Sequence, residues 1–172
     1  MTRVPLPEPD GVHVRPYEPA DAAATLETFT LAITRTALAR YTAEQVQAWI
    51  GTPPSLGAWD EARRAVRTFV AELDGRVAGF SDVDDRGYVD RLFVHPAAAR
   101  RGVAGALLDR VLAEARRAGL ATLTTHASLV AEPVFARHGF EVVARETVHR
   151  GDVSLDRCEM RRVLHSATRL TH

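Results

Sequence analysis

The chain has no lysine, no asparagine, one cysteine and no net charge. Each shortage excludes something. The single Cys158 rules out an intramolecular disulfide and fits a reducing compartment. With 22 basic residues against 22 acidic ones, the chain lacks the basic excess of an electrostatic nucleic-acid binder. No apolar run reaches the length of a membrane span, and Met1–Asp10 lacks the apolar core of a signal peptide. A cytoplasmic protein without a membrane or nucleic-acid partner is expected. His126, His138 and His149 are too widely spaced for a zinc site, so no metal is expected. No G-x-S-x-G elbow surrounds Ser128, and no Lys-Ser/Thr follows Gly102–Gly105, which leaves a hydrolase triad and a P-loop unsupported. That every basic residue is arginine reads as codon bias and carries no functional weight.

At 172 residues the chain fits one domain, long enough to bury roughly 70% of its unfolded surface. Pro5, Pro7 and Pro9 make residues 1–11 an extended lead-in, residues 12–164 are the domain, and residues 165–172 are a loose tail.

The most informative stretch is Tyr88–Leu108. Tyr88–Val94 is rich in β-branched and aromatic residues, as a strand prefers, and His95-Pro96 stops the ladder. Beyond Gly102-Val103-Ala104-Gly105, apolar residues at 103, 107, 108, 111, 112 and 115 form a helical stripe. A helix begins with unpaired N–H groups and a positive dipole end, both of which favour an anion. Gly102, Ala104 and Gly105 would let a phosphate approach the backbone, and Arg100 and Arg101 add positive charge. A plain strand–helix corner packed with small residues reads equally well from spacing alone.

Around this stretch, Val12–Arg15 reads as a first strand and Pro19 or Asp21 as the start of a helix with Leu26, Phe29 and Ile33 on one face. Thr42 with Gln45 reads as a capping box opening a second helix through Ile50. Trp59 is placed in a loop. Val66–Leu73 and Arg76–Val83 form a hairpin at Asp74-Gly75, continued by Tyr88–Val94 as a meander. Ala121–Ala127 is a further strand, Ala131–His138 a short helix, and Phe140–Val148 with Val153–Arg162 a last hairpin. The sum is a mixed α/β sheet of about seven strands with about four helices.

Val94-His95-Pro96 followed by Arg100-Arg101-Gly102-Val103-Ala104-Gly105-Ala106 resembles the pyrophosphate loop of the GNAT N-acetyltransferases, whose pattern is Q/R-x-x-G-x-G/A. Gly102 and Ala104 match, while the leading position is Ala99. Ser128 and the run Pro133–Phe140 resemble the family segment that ends in Gly-Phe, and the likeness spans about Val12 to Leu164. It implies a GNAT-like fold, a meander plus a splayed parallel pair, with acetyl-CoA as co-substrate. The pantetheine arm is expected against Leu92, Phe93 and Val94, one of whose amides stabilises the oxyanion, and the pyrophosphate against Arg100–Ala106. Ser128 and Phe135 complete the expected cofactor contacts. Phe135 stands where many members have the tyrosine that protonates the leaving thiolate.

The acceptor implied is an amine of a small molecule or peptide, with Tyr41, Trp59 and Asp82 in its pocket. Trp49 is placed in the core. An amine of pKa near 10.4 is only about 0.1% neutral near pH 7.4, a penalty of ~4 kcal/mol, so a proton acceptor is needed. Asp90 is the first choice, on the face it shares with Val94, with Asp82 and Asp84 as alternatives. Ser128 is placed to orient a water or bond the cofactor. Dimerisation is common in the family. An acyl-CoA-binding module without catalysis remains the alternative.

Overall fold

A computed structural model describes residues 11–164, so the lead-in before Gly11 and the tail from His165 lie outside the described residues. In chain order the elements are β1 (Val12–Pro16), α1 (Ala22–Thr34), α2 (Ala43–Ile50), α3 (Leu56–Arg64), β2 (Arg67–Leu73), β3 (Arg76–Val83), β4 (Tyr88–Val89), β5 (Leu92–Val94), α4 (Val103–Arg117), β6 (Thr122–Ser128), α5 (Glu132–Arg137), β7 (Glu141–Arg150) and β8 (Val153–Val163). They build two four-stranded sheets, ordered β1-β2-β3-β5 and β4-β6-β8-β7. Pairing is antiparallel throughout, except for the parallel pair β4–β6.

The local signals act as their chemistry dictates. Asp74 and Gly75 both take positive φ (53° and 75°), the geometry of a two-residue hairpin turn matched to strand twist. The Gln45 amide donates to Thr42 Oγ (3.1 Å) and the Thr42 amide to Gln45 Oε1 (2.9 Å), the reciprocal cap of α2. On α4, Val103, Leu107, Leu108, Val111, Leu112 and Ala115 are buried against the first sheet, with Arg116 and Arg117 at the helix's negative end. The opposite face of that sheet is covered by Ala22 of α1 and Trp59 of α3, packed on Val70 and Phe80.

Two elements differ from expectation. Helix α3 occupies the segment where Trp59 is expected in a loop; its signal is Ser55, whose Oγ accepts the Ala58 amide (3.2 Å) just beyond Pro53-Pro54. The central strand is also cut in two, giving eight strands among the described residues, in keeping with the expected count of about seven. Tyr88 and Val89 pair with Thr124 and Thr125 in the second sheet, whereas Leu92–Val94 pair with Ser81–Gly79 in the first.

A buried carboxylate accounts for the cut. Asp82 Oδ1 accepts the amides of both Asp90 (3.0 Å) and Arg91 (3.1 Å), and Ser81 Oγ donates to the Arg91 carbonyl (2.7 Å). Main-chain groups that would have continued a ladder are turned onto one side chain. Asp82 is 2% exposed and its charge is met by Arg63 Nη1 at 3.1 Å, itself 3% exposed. Burial pushes the Asp82 carboxyl up and the Arg63 guanidinium down, so each depends on the other to stay charged.

Candidate active site

Past Val89 and Thr125 the two sheets separate, because β4 stops while β6 runs on to Ser128 paired only with β8. Strand β5 is therefore an open edge. The His95 amide donates to Ala78 O (2.8 Å) and Arg91 O accepts from Asp82 N (3.3 Å), both toward β3. Antiparallel alternation then turns Phe93 toward β3 as well and points the main-chain groups of Leu92 and Val94 into the gap. An extended ligand can pair there as a further strand.

A cavity of about 470 Å³ follows this edge from Leu92 and Val94 to the start of α4, closed on its far side by Val130, Val134 and His138. Gly102 takes φ 78°, where a side chain would be strained, and no side chain caps α4. The Ala106 amide bonds back to Gly102 O (3.0 Å), so the amides of the preceding turn are the orphan donors of a helix start. Arg100, also at positive φ (62°), and Arg137 line the same cavity. Gly105 faces His138, whose Nε2 would stand 3.4 Å from an added Cβ. Helix-end amides, two guanidiniums, a smooth apolar channel and an open strand edge suit a long thioester bearing a pyrophosphate.

A second cavity, about 320 Å³, adjoins the first and shares Trp49, Phe93 and Ser128 with it. Its wall is polar: Tyr88, Asp90, Arg91, His126, Asp156 and Arg157 among others. The Tyr88 hydroxyl lies 2.8 Å from His126 Nδ1, and His126 Nε2 lies 3.4 Å from Glu146 Oε1. The donor in the Tyr88–His126 contact depends on the imidazole tautomer; with the ring proton on Nε2, Nδ1 accepts the tyrosine's hydrogen. Burial raises the Tyr88 pKa, as does the nearby Asp90 charge. The same Glu146 oxygen takes Arg157 Nε at 3.0 Å.

An acetyltransferase (GNAT) domain model matches residues 37–156. The chain belongs to the GNAT N-acetyltransferases. It is 33% identical over 139 residues to YafP of Escherichia coli K12, described as an uncharacterized N-acetyltransferase, covering 81% of this chain and 87% of that one. Among solved structures, a GCN5-related N-acetyltransferase from Rhodopseudomonas palustris superposes with a TM-score of 0.83 at 29% identity, covering 95% of this chain and 100% of that one. YncA of Salmonella typhimurium, solved with acetyl-CoA, gives 0.69 at 25% identity, covering 93% and 99%.

In this GNAT enzyme the sequence-expected residues fall into three groups. Leu92, Phe93, Val94, Arg100, Gly102, Val103, Ala104, Gly105 and Ser128 line the larger cavity, and Tyr41, Asp90 and Ser128 line the smaller. The Tyr41 hydroxyl is spent on structure, accepting the Leu129 amide (2.9 Å) and donating to Asp156 O (2.7 Å). Ser128 Oγ accepts the Ala131 amide (3.1 Å), leaving its hydrogen free to donate. Asp84 accepts the amides of Arg86 and Tyr88 at the turn (2.9 Å each) and lines neither cavity.

The remainder stand elsewhere. Arg101 turns outward to Asp74 (3.5 Å), Ala106 lies past the helix-start turn, and Phe135 is 2% exposed in the core, edge-on to Phe140. None of the three lines either cavity. Trp59 is 3% exposed on α3, its Nε1 donating to Thr25 Oγ1 (3.0 Å), so it is core. Asp82 lies beneath the site and lines neither cavity. The tryptophans thus exchange roles, for Trp49 lines both cavities and meets Tyr41 edge-on. Tyr88, His126, Glu146 and Arg157 are brought together by strand pairing in the second sheet, a group that no spacing in the sequence announces.

Proposed function

We propose that this chain transfers the acetyl group of acetyl-CoA directly to a primary amine of a small molecule, both reactants being bound together. The observation that carries this is the meeting of the two cavities at Trp49, Phe93 and Ser128, beside the open edge of Leu92 and Val94. Acetyl-CoA supplies the activated acyl group. Its pyrophosphate is assigned to the amides and small residues at Gly102–Gly105 with Arg100 and Arg137, and its thioester oxygen to the Val94 or Leu92 amide. A covalent relay through cysteine has no support, since Cys158 is fully buried behind β6.

Asp90, lining the acceptor cavity, is assigned to the incoming ammonium. The proton that the ammonium gives up is assigned to Tyr88 and His126: the Tyr88 oxygen takes it as its own hydrogen passes to Nδ1, and Glu146 offsets the imidazolium charge. Ser128, between the cavities with a free hydroxyl hydrogen, is assigned to the departing sulfur.

Titration of acetyl-CoA by calorimetry, then thiol release over a panel of amines, amino acids and peptides, tests the reading. Binding in the micromolar range, lost on Gly102→Val, with thiol release on at least one amine, is the expected result. Saturable binding with no thiol released on any amine overturns it in favour of a non-catalytic acyl-CoA module.

A further inference from the structure

Of the three arginines on the wall of the acceptor cavity, Arg91, Arg150 and Arg157, only Arg91 has a buried side-chain nitrogen without a hydrogen-bond partner among the described residues. Arg157 is held by Glu146 at 3.0 Å. Arg63, below the cavity and not on its wall, is held by Asp82 through Nη1 at 3.1 Å, while its own Nε is likewise unpaired. Arg91 Nε is buried and has no hydrogen-bond partner among the described residues; Asp90 forms an ion pair with it at 3.8 Å, longer than a hydrogen bond. Yet the side chain is firmly placed. Its guanidinium carbon lies 5.3 Å from the Phe29 ring and 5.2 Å from the Trp59 ring, and the residue's amide and carbonyl are both fixed by the Asp82–Ser81 contacts.

A guanidinium stacked on two rings keeps its planar fork of N–H donors in one orientation. Leaving the buried Nε donor unmet costs stability, and the rest of the fork is open to a ligand in the cavity. Arg91 precedes Leu92, whose main chain faces the gap between the sheets, and follows Asp90, to which the ammonium is assigned. Groups that pair with Asp90 and Arg91 therefore sit a short distance apart on one molecule.

We infer that Arg91 is the anion subsite of the acceptor, and that the acceptor is an α- or β-amino acid, its carboxylate on the guanidinium fork and its ammonium on Asp90. This rests on the amine-acetylation reading above and narrows it. The cavity's own charges agree, for Arg91, Arg150 and Arg157 outnumber Asp90 and Asp156 on its wall.

The test is thiol release from acetyl-CoA with matched triplets: an amino acid, its carboxamide and its decarboxylated amine, each with the same side chain. One well-formed charge-assisted pair gives the acid a preference in kcat/KM of roughly tenfold to a hundredfold over the carboxamide. In Arg91→Gln that ratio falls toward one, and in Arg91→Lys, which keeps the charge but loses the fork, it is intermediate. A wild-type enzyme that acetylates carboxamides and plain amines as well as acids overturns the inference while leaving amine acetylation standing. So does an acid preference that survives Arg91→Gln. If no triplet member is acetylated, the amine reading fails by itself. The subsite is then judged by calorimetry of N-acetyl amino acids against their amides on the CoA-bound protein, where equal affinity for acid and amide overturns it.

Discussion

Replacing Asp82 by alanine tests the idea that a buried carboxylate splits the central strand. The change leaves Arg63, 3% exposed, without its counter-charge and strips the acceptor from the amides of Asp90 and Arg91. Removing one partner of a buried ion pair costs about 3–5 kcal/mol. At roughly 2–4 °C per kcal/mol for a domain of this size, the melting temperature should drop by about 6–20 °C. The double variant Asp82→Ala/Arg63→Met should be less destabilised than the sum of the singles by about 2 kcal/mol, since the stranded charge is then gone. Asp82→Asn keeps an oxygen for the two amides and should fall between alanine and the parent. Calorimetric binding adds a second readout, because the same contacts set the register of Leu92 and Val94 at the open edge. Acetyl-CoA affinity should weaken roughly tenfold, about 1.4 kcal/mol. An alanine variant that melts within about 2 °C of the parent and binds acetyl-CoA equally well would refute the reasoning.

Gly87→Ala should cost more than about 2 kcal/mol in urea unfolding, because its Cβ would lie 2.3 Å from Thr122 O and φ is 87°. Tyr88→Phe or His126→Gln should lower kcat/KM for the amine by about a hundredfold in a thiol-release assay while acetyl-CoA binding holds; a loss below tenfold in both argues against their proton-transfer role. Acid should weaken the fold in a set order. For Asp21, burial works upward, but bonds from Arg15 and the Glu18 amide leave its pKa below the ordinary 3.8, and Arg117 holds Glu114 below 4.5. Folded values lower than unfolded ones give stability that is present above those ordinary values and lost as pH falls through the folded ones. Through these two groups stability should hold above about pH 5 and decline below about pH 4, so Asp21→Asn should flatten the acid decline of the denaturant midpoint.

Local chemistry was sufficient for much of this molecule. The Asp74-Gly75 turn, the Thr42–Gln45 cap, the apolar stripe of α4 and the small residues at its start act over a few positions, where the identity of each residue constrains its neighbours directly. Those features, with the likeness to the GNAT loop, were enough to place the larger cavity at Gly102–Gly105. The missed helix α3 shows the limit of that reading, since its buried face consists of Trp59 and Arg63 only, too short a stripe to announce a period.

What tertiary structure decided was the partnering of groups distant in the chain. Tyr88 with His126 and Asp82 with the amides at 90 and 91 are contacts made by sheet register, which no spacing reports. The tryptophans show the same division. Both are aromatics near the acceptor wall in sequence, but only the packing of α3 over Phe80 sends Trp59 inward and leaves Trp49 at the junction of the cavities. Sequence thus determined most of the strands and helices and the small-residue corner at the start of α4, because those depend on near neighbours. The sheets' divergence determined which side chains line the two cavities, because that depends on where the strand between them leaves one sheet for the other.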